Sequence, residues 1–294
     1  MDAITSVWLI KKFLTGWENA VVQFVPAGER LENGKWKMEN GKSAIEKIGN
    51  DEVIHVDTGL GPLDHHQTSD TNVCGASLTF DFVKRVGSSD KIKNKIEAIS
   101  RMVKVVVDID HFKEVFRKDP LSDYHEFDLA GILDGLKLQM PNQDDYYVEF
   151  VSKCLDAILH EFENRIWAEK EISENGKEFE TRYGKGIGFE TINDSVIKLA
   201  QKMNYVIVAR KDPRKGYLRI KARPTLENGK WKMENGKKGI DLTLAYEKLR
   251  KMDPDATWFL HVSKKMLLNG SVKNPKMRPT KLSLSDIIEV LKEI

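Results

Sequence analysis

The sequence predicts an α/β protein of two domains. An amino-terminal domain is built on a mainly parallel sheet, and a smaller α+β domain follows it. Three observations lead there. Apolar runs of strand length, "AVVQFVPAG" and "DEVIHVDTG", alternate with helical patterns as far as residue 172. The second run passes directly into a loop of glycines, acids and histidines, which reads as the carboxyl end of a sheet strand, where ligands sit in α/β proteins. After "SENGKEFETRYGKGIG" the pattern changes to strand–turn–strand with short helices. The expected domains are residues 1–172 and 186–294.

The elements follow in order. "AITSVWLIKKFL", 3–14, has Val7, Leu9, Ile10, Phe13 and Leu14 on one helical face. "AVVQFV" is a strand that Pro26 ends, and "DEVIHVDTG" is another, closed by Gly59 and Gly61. "GASLTFDFVKRV" is an amphipathic helix, Lys91 to Phe116 is largely helical, and "AGILDGLKLQM" is a further helix. Residues 144–172 form a long acidic helix with Phe150, Leu155, Ile158, Leu159, Phe162 and Ile166 in register, long enough to bridge two domains. "NDSVIKLAQKM" is a helix with Asn193 as its cap. "YVIVARKDPRKGYLRIKARP" is a hairpin turning at Asp212–Gly216, "DLTLAYEKLRKM" a helix, "TWFLHVSKKMLLNGS" a strand pair, and "SLSDIIEVLKEI" the last helix.

The segment "LENGKWKMENGK" occurs twice, at 31–42 and 226–237, with no likeness between the flanking regions. It is therefore not a repeat of solenoid type. Its paired Asn-Gly steps read as a surface hairpin or loop. Its Lys-Trp-Lys core also suits a nucleic-acid contact, by stacking between cations.

Two cysteines among 294 residues, Cys74 and Cys154, make no disulfide framework and fit a reducing compartment. "MDAITSVWLIKKFL" lacks the basic start of a signal peptide, and no apolar run spans a membrane, so a cytoplasmic protein is expected. The net charge of +2 conceals an uneven distribution: residues 201–294 hold 22 Lys+Arg against 10 Asp+Glu, a net +12, leaving −10 for residues 1–200. An acidic half suits hard cations, and a basic half suits phosphate.

"HVDTGLGPLDHHQ", residues 55–67, concentrates the chemistry. Carboxylates with imidazoles suit Mn²⁺, or Mg²⁺, better than a zinc site built on cysteines. Two such ions sharing an aspartate would turn a bridging water into hydroxide and clamp a phosphoryl group. Asp57 at the strand end and His65 in the next loop have the reach for this. His55 lies within the strand and reads as packed; His125 and His160 read as surface residues, and His111 stays ambiguous. "GKGIG" at 184–188 lacks the strand and Lys-Ser/Thr of a phosphate loop.

"VDTG" followed by "DHHQ" resembles the DHH phosphoesterase superfamily. "DTGLGPLDHHQ", "YVIVARKDPRKGYLRIKARP" and "WFLHVSKKMLLNGS" are similar to the branch typified by the melanocyte-proliferating-gene exonuclease. The resemblance implies a metal-dependent hydrolase of a phosphodiester, in RNA or a short nucleotide, with two Mn²⁺ or Mg²⁺ ions in the complete site. "MDAITS" matches the end of the family's first motif, so Asp2 would be a ligand with Asp57, the shared aspartate, and His65. Asp110 fits the last ligand, with Asp108 as the alternative. Asp64 and His66 would support them and contact phosphate. In the second domain, His261, Ser263, Asn269, Gly270 and Ser271 would bind substrate phosphate. Arg210, Arg219 and Arg223 on the hairpin suit phosphate or a solvated sheet face equally. A pyrophosphatase or small-nucleotide phosphatase, and an impaired relative that only binds nucleotide or RNA, are the other readings. The strand, histidine and first aspartate of the family's first motif have no counterpart before Asp2, so weak activity is expected of the chain as written. The implied partner is a phosphate-containing substrate, nucleotide or RNA, with no membrane; a homodimer is compatible.

Overall fold

The computed structural model describes residues 1–31, 44–86, 90–224, 239–270, 274 and 276–294. The elements are α1 (Asp2–Phe13), β1 (Ile45–Ile48), β2 (Asp51–Ile54), α2 (Gly75–Val86), α3 (Asp90–Lys93), α4 (Ile96–Asp110), α5 (Leu129–Gln139), α6 (Asp144–Asn175), β3 (Lys177–Thr181), β4 (Gly184–Glu190), α7 (Ser195–Lys202), β5 (Ile207–Lys211), β6 (Leu218–Ala222), α8 (Thr243–Met252), β7 (Trp258–Leu260), β8 (Met266–Asn269) and α9 (Leu284–Lys292). The chain is a mixed α/β protein. It divides into two units, Met1–Glu163 and Asn164–Ile294. The division falls inside α6, ahead of the expected boundary. Ala168 and Ile172, on the last turns of α6, are buried with residues of β4, β5 and α7 and so belong to the second unit.

In the first unit α1 buries Trp8, Leu9, Ile10 and Phe13 and packs on α2 and α4. Helix α4 buries Ile99, Met102, Val103 and Val106, the spacing of one helical face. The Trp8 indole donates to Asp156 Oδ1 of α6 at 2.9 Å. The mainly parallel sheet expected here is not what the described residues form. Strand β2 pairs antiparallel with β1, from Ile45↔Ile54 to Ile48↔Asp51. A neighbour joined by a two-residue turn closes the shortest loop, and an apolar run does not itself name its partner. "AVVQF", expected as a strand, joins no ladder, and Val21 is 93% exposed.

The second unit is built on a six-stranded sheet of order β3-β4-β5-β6-β8-β7. Only β4 and β5 run parallel; the other neighbours are antiparallel. One face buries Ile207, Ala209, Leu218, Ile220 and Leu267 under Leu249 of α8 and Leu284, Ile287 and Leu291 of α9. The other face buries Ile187, Phe189 and Val208 under α7 and the end of α6. Helix α9 starts from a capping box, Ser283 with Asp286. The cap of α7 is Asp194 rather than the expected Asn193, whose side-chain oxygen accepts from the Ser195 N–H at 2.9 Å one position ahead of the cap.

No helix among the described residues is long and apolar enough to cross a membrane. The duplicated segment lies outside the described residues but for Leu31, so its hairpin reading has no structural counterpart here. Phe189 is fully buried, and its ring joins β4 to α6 and α7. Phe189→Ala is expected to destabilise the second unit by about 3–5 kcal/mol in denaturant titration.

Candidate metal centre

Asp2 is the first residue of α1, and its carboxylate is 3% exposed. Both oxygens accept backbone hydrogen bonds at 2.6 Å, Oδ2 from the Gly75 N–H and Oδ1 from the Ala76 N–H. Helix α2 has no acid in its own first turn, so Asp2 answers its unpaired N–H groups and positive helix end from another element. Gly75 permits this approach. A Cβ there would lie 2.9 Å from Asp57 Cβ and 3.0 Å from Asp2 Oδ2.

Asp57 follows β2 with φ +54°, a left-handed conformation that Asp tolerates better than most residues. The loop beyond it closes on itself: the Asp57 N–H donates to the Leu63 carbonyl at 3.0 Å and the Asp64 N–H to the Gly61 carbonyl at 3.2 Å. The Asp64 carboxylate, nearly inaccessible, accepts from the Leu60 N–H at 2.7 Å and the His66 N–H at 3.1 Å. It also holds His66 Nδ1 at 2.6 Å. One buried acid thus fixes both the turn and the exposed His66 ring, leaving Nε2 as the ring's ligand or acid–base atom.

Three carboxylates meet at His65. Its Nε2 is 3.3 Å from Asp110 Oδ2, 3.5 Å from Asp57 Oδ1 and 3.7 Å from Asp2 Oδ2. Asp110 reaches it from the last residue of α4. Asp108, the alternative, faces Lys113 at 3.5 Å and Lys104 at 4.0 Å instead. His111, ambiguous from sequence, joins the group. Its Nε2 lies 2.8 Å from the Val73 carbonyl, which orients the ring edge-on to His65. Two overlapping sets, Asp57–His65–His66 and His65–Asp110–His111, are each close enough to share one cation.

The electrostatics follow from this crowding. Burial, then the charge of Asp2 and a hydrogen bond with it, then Asp110, push Asp57 up to about 7. Burial and Asp2 also raise Asp110, against His65 and His111. Burial acts upward on Asp64, but hydrogen bonds from His66 and Leu60 outweigh it and hold its carboxyl below the usual range. The hydrogen bond to Asp64 raises His66. Asp57 Oδ1 is buried with no hydrogen-bond partner. A buried carboxylate oxygen without a donor, among other carboxylates and an imidazole nitrogen, fits a hard or borderline divalent cation. His55 is packed as expected, with Nδ1 3.1 Å from Glu46 Oε1 and Nε2 accepting from the Leu31 N–H at 3.2 Å.

The phosphate-binding set expected in the second unit does not come together. On the β7–β8 hairpin Trp258 pairs with Asn269, whereas His261 meets Met266. Three strand residues, about 10 Å, therefore separate His261 from Asn269 and Gly270. His261 Nδ1 bonds Ser263 within its own turn, at 2.8 Å. Asn269 is fully buried and donates to the Thr257 and Arg278 carbonyls at 2.8 and 3.1 Å, while its own carbonyl accepts from the Thr280 N–H at 2.6 Å. Gly270 has φ +79° and stacks against Tyr217, whose Cδ1 a Cβ would meet at 2.1 Å. Arg210 is buried, with Nε 2.9 Å from Asp194 Oδ1 and a hydrogen bond to the Thr191 carbonyl at 3.1 Å. Ser271 lies outside the described residues.

Comparisons with protein-family models, curated proteins and solved structures give no match for this chain.

Two outcomes are expected. Asp57 has a folded-state carboxyl well above its ordinary value of 3.8, so its ionisation opposes folding of the metal-free chain. Its contribution is present below pH 4 and lost as pH rises through about 7. In EDTA, thermal unfolding should find Asp57→Asn more stable than the parent at pH 8, with the gap closing towards pH 5; a gap independent of pH contradicts this. Asn269→Ala removes the acceptor of the buried Thr280 N–H and a donor to the partly buried Thr257 carbonyl, and should cost about 1–3 kcal/mol by denaturant titration.

Proposed function

We propose that the protein is a metal-dependent phosphoesterase that hydrolyses a phosphodiester, in RNA or a short nucleotide, with Mn²⁺ or Mg²⁺ as its cofactor. The observation that carries this reading is the convergence of Asp2, Asp57 and Asp110 on His65 Nε2, with Asp57 Oδ1 buried and lacking a donor. His65 would hold the cation with Asp57 on one side or with Asp110 on the other, with Asp2 beside them. A bound divalent cation would supply positive charge to a phosphoryl oxygen and acidify water. Asp64 fixes the His66 ring and draws a proton onto it, so His66 meets a phosphoryl group as a cation or a proton donor. Asp2 ties the centre to the start of α2, whose N–H groups lower the cost of gathering acids there. The "DHHQ" and "VDTG" likeness to the DHH phosphoesterases supports the same reaction class.

The test is a Mn²⁺ titration by calorimetry, with hydrolysis of p-nitrophenyl phosphodiesters, oligoribonucleotides and pyrophosphate in parallel. His65→Ala should abolish Mn²⁺ binding, and Asp64→Asn should weaken it by about 10–100-fold. Unchanged Mn²⁺ binding in His65→Ala contradicts the reading. Hydrolysis of pyrophosphate alone would move it to the pyrophosphatase class.

A further inference from the structure

Two residues beside the metal centre hold a backbone conformation that their side chains disfavour. Among the described residues, six other than glycine lie in the left-handed region: Asp57, Leu60, Phe112, Asn142, Asn204 and Lys264. Asp and Asn tolerate that region, whereas a bulky apolar residue there is strained. Lys264 belongs to the turn between β7 and β8, where its N–H donates to the His261 carbonyl at 2.7 Å. The two bulky apolar residues are Leu60, with φ +53°, and Phe112, with φ +49°. Both belong to the centre. The Leu60 N–H donates to Asp64 Oδ2 at 2.7 Å, and Asp64 Oδ1 holds His66 Nδ1 at 2.6 Å. Phe112 follows Asp110 and His111 directly, and its N–H donates to the Ile109 carbonyl at 3.0 Å. It stands one residue past the cap of α4, a position whose left-handed backbone is ordinarily given to glycine.

Burial does not offset this strain. Phe112 is 64% exposed and Leu60 is 56% exposed. Backbone strain persists where the surrounding structure enforces it, and it gathers at sites that act on ligands. The His66 side chain is also 60% exposed, whereas Asp2, Asp64 and His65 are buried. The most exposed side chains among these are thus an imidazole, an isobutyl group and a phenyl ring. The imidazole can meet a phosphate oxygen. Leucine and phenylalanine offer such an oxygen nothing, and their fitting partner is an apolar or flat group carried by the phosphate. Pyrophosphate carries none, while a nucleotide carries its base. A ring stacks on any base, because every base has a π face.

We propose that Phe112, with Leu60 beside the same centre, receives the base attached to the scissile phosphate and so selects a nucleoside phosphodiester over pyrophosphate. The proposal rests on the phosphoesterase reading and gives that site its substrate class. Its probes are uridine 5′-monophosphate and ribose 5-phosphate, which share a sugar phosphate and differ by the base. Each is titrated by calorimetry into the full chain loaded with Mn²⁺. The parent should bind the nucleotide more tightly. Phe112→Gly should shrink that difference about tenfold, and Phe112→Trp should keep it. In EDTA, Phe112→Gly should also raise the melting temperature by about 2–4 °C, because glycine accepts the left-handed backbone. Equal binding of the two probes by the parent, an unchanged difference in Phe112→Gly, or a lowered melting temperature, which would give the ring a packing role, would overturn the proposal. A chain that binds no Mn²⁺ contradicts the phosphoesterase reading and the proposal with it. One that binds Mn²⁺ without preferring the nucleotide contradicts the base site alone.

Discussion

Asp2, Asp57 and Asp110 are held against one another at the ends of different elements, and the charge they gather has to be answered. Part of the answer is in the chain: the N–H groups that open α2 point at Asp2, and His65 Nε2 sits among the three carboxylates. The rest is not, because Asp57 Oδ1 remains buried without a donor and its carboxyl rises to about 7. Such an arrangement opposes folding wherever all three acids are ionised, unless a cation joins them. The surrounding details serve this gathering of charge. The left-handed turn at Asp57, the missing side chain at Gly75 and the Asp64 anchor beneath His66 all hold acids and imidazoles at short range.

How much of this was legible in the sequence depended on distance along the chain. Asp57, Asp64, His65 and His66 fall within one loop, so residue type and spacing sufficed to group them. Asp110 and Asp108 are two apart on a helix and face about 200° apart, so at most one could reach the loop. Which of the two does so is decided by the packing of α4 rather than by any local signal. The double role of Asp2 was hidden, since its partners Gly75 and Ala76 lie over seventy residues away. His111 stayed ambiguous for a similar reason: the Val73 carbonyl that orients it belongs to another segment.

The fold was read unevenly for related reasons. Helical periodicity marked α1, α2, α4, α6 and α9, because an amphipathic stripe records burial directly. Strand pairing left a record only where a turn joins neighbours, at β5–β6 and β7–β8. "DEVI" gave an apolar run, but its partner was the adjacent "IEKI". Strand β4, "GKGIGFE", carries three glycines and reads as a loop until β3 and β5 supply its ladders. The hairpin at β7–β8 was expected, yet its register separates His261 from Asn269. Asn269 then has a plain structural use as a buried tie between the strand and the 257 and 278–280 segments.

The central claim is that a divalent cation belongs at His65 beside Asp57. A crystal of the chain grown with Mn²⁺, measured at the manganese absorption edge, tests it most directly. The account predicts an anomalous peak within ligand distance of Asp57 Oδ1 and His65 Nε2. An ordered centre with no peak there, or with Asp57 Oδ1 hydrogen-bonded to protein or water alone, would contradict it.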